Sequence, residues 1–241
     1  MISVTYDLHM HSCLSPCGDA DMTPGNIVGM SALKELDVIA LTDHNTCKNC
    51  EAVMKLGEQY GILVIPGMEL TTVEEVHVVC LFESLEKALE FDKYVYEHLQ
   101  PIKNRPEIFG EQLIMDENDA VIGTVPNLLI NATDISFSDV YDLVAKYDGI
   151  MIPAHIDKNS NSLLANLGFV PPDSKFTCFE LKNMANLHNL RKQNPYLEKC
   201  NVITDSDSHF LENINEPENT LWVEEKSIRA IFKTLTDVRL T

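Results

Sequence analysis

Short apolar runs alternate with amphipathic segments along most of the chain, and this alternation restricts the fold more than any other feature. The runs "VIAL", "ILVIP" and "IMIP" are apolar at nearly every position, not at every second one. Such runs favour strands covered on both faces, as in a parallel sheet packed between helices. The intervening segments carry helix signals, with Thr23 before Pro24 at one start and Gly61 at one end. The pattern therefore predicts an α/β protein.

The length of 241 residues, with 45% hydrophobic content, suits one large core. Parallel α/β barrels often run to roughly 200–250 residues as a single unit. Residues 101–135 are less periodic and contain Pro101, Pro106 and Pro126, so we predict a loop-rich excursion with a short helix there. The chain has no repeat or linker, and we predict a single domain over residues 1–241.

The charge balance is strongly acidic, with 18 basic and 37 acidic residues and a formal charge of −19. Long nucleic acids and anionic membranes attract clustered Lys and Arg, so we expect neither as a partner. No apolar stretch reaches the roughly 20 residues that span a bilayer, and the chain starts directly in a strand pattern without a signal peptide. Seven unevenly spaced cysteines are typical of reduced thiols, which predicts a cytoplasmic protein.

Titratable residues collect at the ends of the predicted strands. Six of the eight histidines end a strand or follow it closely: His9, His11, His44, His77, His155 and His209. Carboxylates occupy the same places: Asp7, Asp43, Glu69, Asp205 and Asp207. In a parallel barrel these ends converge on the face that carries active sites. Because buried imidazoles and carboxylates are costly without partners, the pattern predicts a metal site.

The types of side chain narrow the choice of metal. Imidazole with carboxylate suits Zn, Mn or Fe better than Ca or Mg. His9 and His11 lie two positions apart on a strand and so share a face; Asp207 and His209 repeat this spacing. The candidate ligands are too many for one tetrahedral ion, so we predict a cluster of two or three divalent ions.

Five motifs occur in order between residues 7 and 209: "DLHMHS", "LTDHN", "PGMEL", "PAHIDK" and "SDSH". Together they resemble the polymerase and histidinol phosphatase (PHP) family of metal-dependent phosphoesterases. The resemblance implies a distorted seven-stranded, TIM-like (β/α) barrel with a trinuclear metal site.

The resemblance also implies how the ligands are shared. A first ion would be bound by His9, His11, Glu69 and Asp207, and a second by Glu69, His77 and His155. A third would be bound by Asp19, His44 and His209. The run "CGDAD" offers Asp21 as well, but Asp19 follows the "CG" that precedes the ligand in histidinol-phosphatase-like members. Asn45 departs from the acidic residue that many members have after "TDH".

We therefore expect hydrolysis of a small phosphorylated substrate, such as histidinol phosphate or a nucleotide, by a hydroxide that bridges two ions. Asp43 and Asp205 are expected to support catalysis by orienting ligand histidines, with Asp7 as a third such group. Lys158 and Lys182 follow ligand-bearing or neighbouring strands and are candidate contacts to the substrate phosphate.

Alternative interpretations remain at this point. Cys13, Cys17, Cys47 and Cys50 have partial zinc-site spacing, although free thiols fit the irregular first pair better. An amidohydrolase usually has a bridging lysine, whereas this chain has Glu69 and the Asp207–His209 pair. An exonuclease or oligonucleotide phosphoesterase, and a non-catalytic metal-binding regulatory protein, are the other candidates.

Overall fold

A computed structural model describes residues 1–237; the last four residues of the predicted domain lie outside the described part. The strands are β1 Ile2–Met10, β2 Val38–Leu41, β3 Leu63–Thr71, β4 His77–Phe82, β5 Leu113–Met115, β6 Val121–Thr124, β7 Gly149–Pro153, β8 Cys178–Glu180, β9 Asn201–Ile203 and β10 Thr220–Val223. The helices are α1 Pro24–Leu33, α2 Cys50–Tyr60, α3 Leu85–His98, α4 Pro106–Phe109, α5 Phe137–Ala145, α6 Leu163–Leu167, α7 Leu187–Gln193 and α8 Ile228–Thr236.

Six strands form a curled sheet in the order β10-β1-β2-β3-β4-β7, and β8 and β9 form a separate parallel pair. Single backbone contacts join the two: Ile156 N–H donates to the carbonyl oxygen of Glu180 at 3.0 Å, and Met10 bridges to Ser208. The sheet thus curls into a half-barrel that the β8–β9 pair extends. The predicted α/β, distorted TIM-like architecture is confirmed.

The direction of β4 differs from an all-parallel barrel. Strands β1, β2 and β3 are parallel, whereas β4 is antiparallel to both β3 and β7. The N-terminus of β4 therefore lies at the edge where β3 and β7 end. His77, expected near a strand end, is instead the first residue of β4 and still reaches that edge.

Apolar side chains pack on both faces of the sheet, and their alternation positions the polar residues. Val79, Ile65 and Cys178 belong to the cluster that packs against α8, whereas the opposite face packs against α1, α2, α3 and α5. On the same three strands, His77, Glu69 and Glu180 each lie an even number of positions from the residue just named. Side chains at even spacing share a face, so these three share the α8 face.

Strand β1 changes this alternation before its end. Leu8 packs in the α8-side cluster and Met10 in the opposite one, and the pairing with β2 shifts register between Asp7 and Met10. Such an irregularity re-aims side chains. It brings His9 and His11 onto the face of Glu69.

The excursion at residues 101–135 contains the predicted short helix, α4, and also the hairpin β5–β6, which the sequence pattern did not indicate. Within residues 1–237, no helix combines the length and hydropathy that crossing a membrane requires.

Candidate metal centre

The strand edge described above gathers the predicted ligands in a buried cluster. The side chains of His9, His11 and Glu69 are at most 1% exposed, and that of His209 is the most open at 21%. His44, His77 and His155 are also buried. This burial removes the water that would otherwise solvate so many titratable groups, so the groups depend on one another or on a cation.

Four donor atoms form the first group. The Nε2 atoms of His9 and His11 lie 3.2 Å apart, and each is 3.3 Å from an oxygen of Glu69. Oδ1 of Asp207 lies 3.6 Å from His9 Nε2 and 3.5 Å from His11 Nε2. All four atoms fall within 4.8 Å of one another, which is the spacing of ligands around one ion.

Glu69 also faces a second set of imidazoles. Its Oε1 lies 2.8 Å from His77 Nδ1 and 3.0 Å from His155 Nε2. Its Oε2 lies 3.0 Å from His44 Nδ1, and His44, Glu69 and His77 make a second compact donor group. One carboxylate thus joins both groups, as a bridging ligand does.

The third group consists of His11, His44 and His209. The rings of His11 and His209 stack with centroids 4.2 Å apart. Among the described residues, Asp19 does not join any of the three groups. Its backbone N–H donates to the carbonyl oxygen of His209 at 2.9 Å, while its Oδ1 accepts from the N–H of Asp21 at 2.9 Å.

The donor set fits divalent cations. Glu69 Oε2 and His44 Nδ1 are buried and lack a hydrogen-bond partner although they face each other. A cation between such atoms would satisfy both. Imidazole nitrogens with carboxylate oxygens are the ligands of Zn, Mn or Fe.

Burial and neighbouring charges shift the pKa values of residues in the cluster. Burial opposes ionisation of Glu69, but His77 and His9 hold its pKa well below the usual range. Burial lowers the pKa of His44, yet Glu69 raises it to about 9. Burial and neighbouring His11 lower the pKa of His209 to about 3. The cluster therefore holds protons that a bound cation would replace.

Two of the predicted ligands, His155 and Asp207, have a positive backbone φ angle. His155 has φ of 30° and Asp207 has φ of 54°, the left-handed region that non-glycine residues rarely adopt. Strain of this kind collects at functional sites, where the surrounding structure imposes it. Both residues follow a strand and turn the chain at the cluster.

Glu180 is a residue of the cluster that the sequence analysis missed. It ends β8, is fully buried, and places Oε2 2.8 Å from Nδ1 of His9. The signal was present, because Glu180 is a carboxylate at a strand end like Glu69.

Asp43, one of the carboxylates expected to orient a histidine, hydrogen-bonds to two serines. Asp43 accepts from the N–H and hydroxyl of Ser12 at 2.7 Å each, and from the hydroxyl of Ser15 at 2.8 Å. Ser15 in turn lies 3.0 Å from Nδ1 of His11. Asp43 therefore connects to His11 through Ser15.

Asp205 and Asp7 bind backbone, not imidazole. Oδ1 of Asp205 accepts from the N–H of Leu8 at 2.6 Å, and Oδ1 of Asp7 accepts from the N–H of Ser206 at 3.1 Å. The two carboxylates thus connect β1 with the segment after β9 in both directions. They hold together the two chain segments that carry His9 and Asp207.

Asn45 points away from the histidines. Its Nδ2 donates to the carbonyl oxygens of Leu129 at 2.7 Å and Asn131 at 2.9 Å, and its Oδ1 accepts from the N–H of Thr71 at 2.9 Å. Asn45 therefore fastens the excursion to the ligand-bearing loop, a structural task that an acidic residue could not perform.

The two lysines lie beside the cluster. Lys158 Nζ is 2.9 Å from Oδ2 of Asp207, and its side chain is 39% exposed. Burial opposes its charge, but Asp207 raises the pKa of Lys158. Lys182 Nζ donates to the carbonyl oxygen of Ser206 at 2.8 Å.

One cysteine, Cys17, lies beside the cluster, where a side-chain hydrogen bond with His44 contributes to the raised pKa of that histidine. Within residues 1–237 none of the three donor groups includes a cysteine. Cys47 and Cys50 are buried and both direct Sγ at the carbonyl oxygen of Gly67, whereas Cys17 is exposed.

The chain is similar in sequence to one protein family and to several individual proteins. Residues 7–165 match the family model of the PHP domain. An uncharacterized protein of Methanocaldococcus jannaschii is 34% identical over 92 residues, covering 34% of this chain and 54% of that protein. A 5'-3' exoribonuclease of Haemophilus influenzae is 32% identical over 91 residues, covering 36% and 29%. The matches thus span about half or less of these relatives.

Solved structures share the fold. The lesion-specific endonuclease EndoQ of Pyrococcus furiosus has a TM-score of 0.69 at 18% identity, covering 98% of this chain and 56% of that one. A candidate metal-dependent phosphoesterase of Bifidobacterium adolescentis has a TM-score of 0.62 at 17% identity, covering 95% of each chain.

The charge argument against long nucleic acids is wrong for this fold. An endonuclease Q structure that covers 97% of this chain and 56% of that one, with TM-score 0.66 and 18% identity, holds a 27-mer duplex with an abasic lesion at its active site. Net charge sums the whole surface, whereas substrate binding depends on the local field at the site.

Proposed function

The chain belongs to the PHP domain family, a family of metal-dependent phosphoesterases, and we propose that its buried cluster hydrolyses phosphoester bonds. The observation that carries this proposal is the position of Glu69, whose two oxygens face imidazoles of all three donor groups. A carboxylate in that position suits adjacent cations, as phosphoryl transfer requires.

Among the described residues, the ligands proposed for each ion coincide with the donor groups except at His155 and Asp19, which belong to none of the three. His9, His11, Glu69 and Asp207 would hold one ion, and Glu69, His77 and His155 a second, with His44 within reach of both Glu69 and the third group. His44, His209 and Asp19 would hold a third. When bound, Zn, Mn or Fe ions would supply Lewis-acid activation of water and neutralise charge on phosphoryl oxygens.

Residues of the chain would orient the proposed ligand histidines and contact the substrate. Glu180, Ser15 and the carbonyl oxygen of Asp207 each hold Nδ1 of a ligand histidine, which fixes the ring without motion during reaction. Lys158, charged and partly exposed beside Asp207, is proposed to contact a phosphoryl oxygen of the substrate. Lys182, which donates to the carbonyl oxygen of Ser206, is proposed as a second contact to the substrate phosphate. Water adds to phosphorus, the ester P–O bond breaks, and the alcohol leaves with a proton.

We propose a small phosphomonoester as the first substrate class. The donor atoms are buried, whereas the side chains of His209 and Lys158 are 21% and 39% exposed, so a substrate that presents one terminal phosphate is favoured over one that must reach the donor atoms with a larger group. A nucleic-acid phosphodiester is the second candidate, supported by the duplex in the endonuclease Q structure of the same fold.

The test is turnover of two substrate panels with Mn²⁺, Zn²⁺ or Fe²⁺ added. One panel holds phosphomonoesters, including histidinol phosphate and nucleotides; the other holds oligonucleotides with and without an abasic lesion. We expect at least one phosphomonoester to be hydrolysed, with loss on chelation and in Glu69→Gln but not in the exposed control Glu58→Gln. Cleavage confined to oligonucleotides supports the second candidate, and no turnover in either panel overturns both.

Lys158 has its own test. Lys158→Met removes the cation but keeps much of the side chain's length. We expect a KM increase of about tenfold, as loss of one charge-assisted contact gives. An unchanged KM contradicts the assignment.

A further inference from the structure

The hydroxyl of Ser15 lies where the two loops that carry His11 and His44 meet. Ser15 is 1% exposed and follows β1 by five residues. Its Oγ has three neighbours at hydrogen-bond distance: Asp43 Oδ1 at 2.8 Å, His11 Nδ1 at 3.0 Å and the backbone N–H of His44 at 3.1 Å. This is the full capacity of a hydroxyl, which has one proton and two lone pairs.

The roles in this network are fixed by elimination. The N–H of His44 can only donate, so one lone pair of Oγ accepts from it. The carboxylate of Asp43 can only accept a hydrogen bond, so the hydroxyl of Ser15 donates its one O–H to Asp43. The remaining lone pair of Oγ faces Nδ1 of His11, and the bond exists only if Nδ1 carries the proton.

This assignment determines what the other side of the ring presents. With the proton on Nδ1, the neutral imidazole of His11 keeps a lone pair on Nε2. Nε2 is the atom that lies 3.3 Å from Glu69 and 3.5 Å from Asp207, inside the first donor group. The tautomer set from outside the cluster is the one that a metal ligand needs.

We propose that Ser15 is a positioning residue that selects the metal-binding tautomer of His11 and ties the His44 loop to it, a role that rests on the proposed metal-dependent function. Asp43 acts through Ser15, because its carboxylate accepts the hydrogen bond that the hydroxyl donates, and Oγ is then left to accept from Nδ1 of His11. His9 and His209 do not need this relay, since Glu180 and the carbonyl oxygen of Asp207 accept from their Nδ1 atoms directly.

Ser15→Ala and Ser15→Thr test the hydroxyl. In the Ala variant, Nδ1 of His11 is buried with no acceptor, and the ring is free to place its proton on Nε2. The Thr variant restores the hydroxyl. Ser31→Ala is the matched control, because Ser31 is also fully buried but bonds only to the carbonyl oxygen of Ile27 in α1.

Two measurements are made on the full chain. Ring ¹⁵N shifts of the metal-free protein report which nitrogen of His11 is protonated, and equilibrium titration with Mn²⁺ reports affinity and stoichiometry. We expect Nδ1 of His11 to carry a proton in the unsubstituted chain, in Ser15→Thr and in Ser31→Ala, whether or not Nε2 also holds a proton beside Glu69 and Asp207. Ser15→Ala should show Nδ1 without its proton in part of the molecules and a loss of Mn²⁺ affinity of about 10- to 100-fold.

The proposal is overturned if Ser15→Ala keeps Nδ1 of His11 fully protonated and binds Mn²⁺ within twofold of the unsubstituted chain. It is also overturned if Ser15→Thr loses as much affinity as Ser15→Ala, because packing would then explain the effect. Neither readout requires turnover, so a chain that binds Mn²⁺ but hydrolyses no phosphoester defeats the proposed function and leaves the role of Ser15 standing.

Discussion

Oε2 of Glu180 accepts a hydrogen bond from Nδ1 of His9 at 2.8 Å, and neither side chain reaches solvent. Of His9, His11 and His209, His9 has a carboxylate as the direct partner of Nδ1, whereas the partners of the other two are a hydroxyl and a backbone carbonyl oxygen. A carboxylate both orients the ring and increases the basicity of its other nitrogen, so we expect Glu180 to increase the basicity of Nε2 of His9.

Glu180→Gln tests that relationship. The amide keeps an acceptor for Nδ1 of His9 but loses the charge, so we expect Mn²⁺ affinity to fall by about tenfold or more while the chain stays folded. Equilibrium titration measures the change, with the exposed Glu58→Gln as control. Affinity within twofold of the unsubstituted chain contradicts the role.

Glu69→Gln removes the charge that several imidazoles share. Because Glu69 belongs to two donor groups, we expect at least one bound ion to be lost and hydrolysis to fall by at least about 100-fold. Elemental analysis of dialysed protein, together with turnover, checks both effects. Full metal content in the variant argues against a bridging role.

Metal binding should release protons at neutral pH. The pKa of His44 rises from 6.5 to about 9 beside Glu69, so its ring is protonated in the metal-free chain at pH 7. A cation must displace that proton, and Mn²⁺ affinity should increase as pH rises toward 9. Calorimetry in buffers of different ionisation enthalpy counts the protons; no buffer dependence excludes this coupling.

The same shift has a consequence for stability. A folded-state pKa above the unfolded value stabilises the chain fully below pH 6.5, and this contribution is lost as pH rises through about 9. The Tm of the metal-free chain should therefore fall between pH 7 and 9.5 more than the Tm of the Mn²⁺-bound chain. Equal falls in both forms contradict the expectation.

Asp205 offers a paired test of charge and hydrogen bonding. Burial, Glu180 and Asp7 raise the pKa of Asp205 well above the ordinary value, and Asn keeps an acceptor for the N–H of Leu8, so we expect Asp205→Asn to lose less stability than Asp205→Ala. Asp205→Ala instead leaves the N–H of Leu8 without its acceptor and should cost about 1–3 kcal/mol. Urea unfolding of both variants measures this, and an Asn variant as unstable as the Ala variant shows that the charge matters.

Asn45→Asp should loosen the excursion. The carboxylate cannot donate to the carbonyl oxygens of Leu129 and Asn131, although it tolerates the φ of 52° as Asn does. We expect faster amide hydrogen exchange over residues 101–135 with protection of β1–β3 unchanged. Exchange that stays slow in the excursion would mean that other contacts hold it, such as those of Gln112 with Val125 and Asn127.

The sequence alone determined the class of the fold and most of the cluster. Apolar runs report strands buried on both faces, and a histidine or carboxylate at the end of such a run is visible without coordinates. That reasoning was sufficient for His9, His11, His44, Glu69, Asp207 and His209, whose donor atoms the structure brings into the compact groups. It would also have included Glu180, had every strand-end carboxylate been counted.

Only the tertiary structure decided how these residues face one another. The reversed direction of β4 puts His77 at the cluster from a strand start, and the register shift in β1 aims His9 and His11 at Glu69. Local sequence does not encode either feature, because strand direction and register are set by pairing with residues distant in the chain. The network of Asp43, Ser15 and His11 has the same origin: its hydrogen bonds join two loops about 30 residues apart, and only folding brings them together.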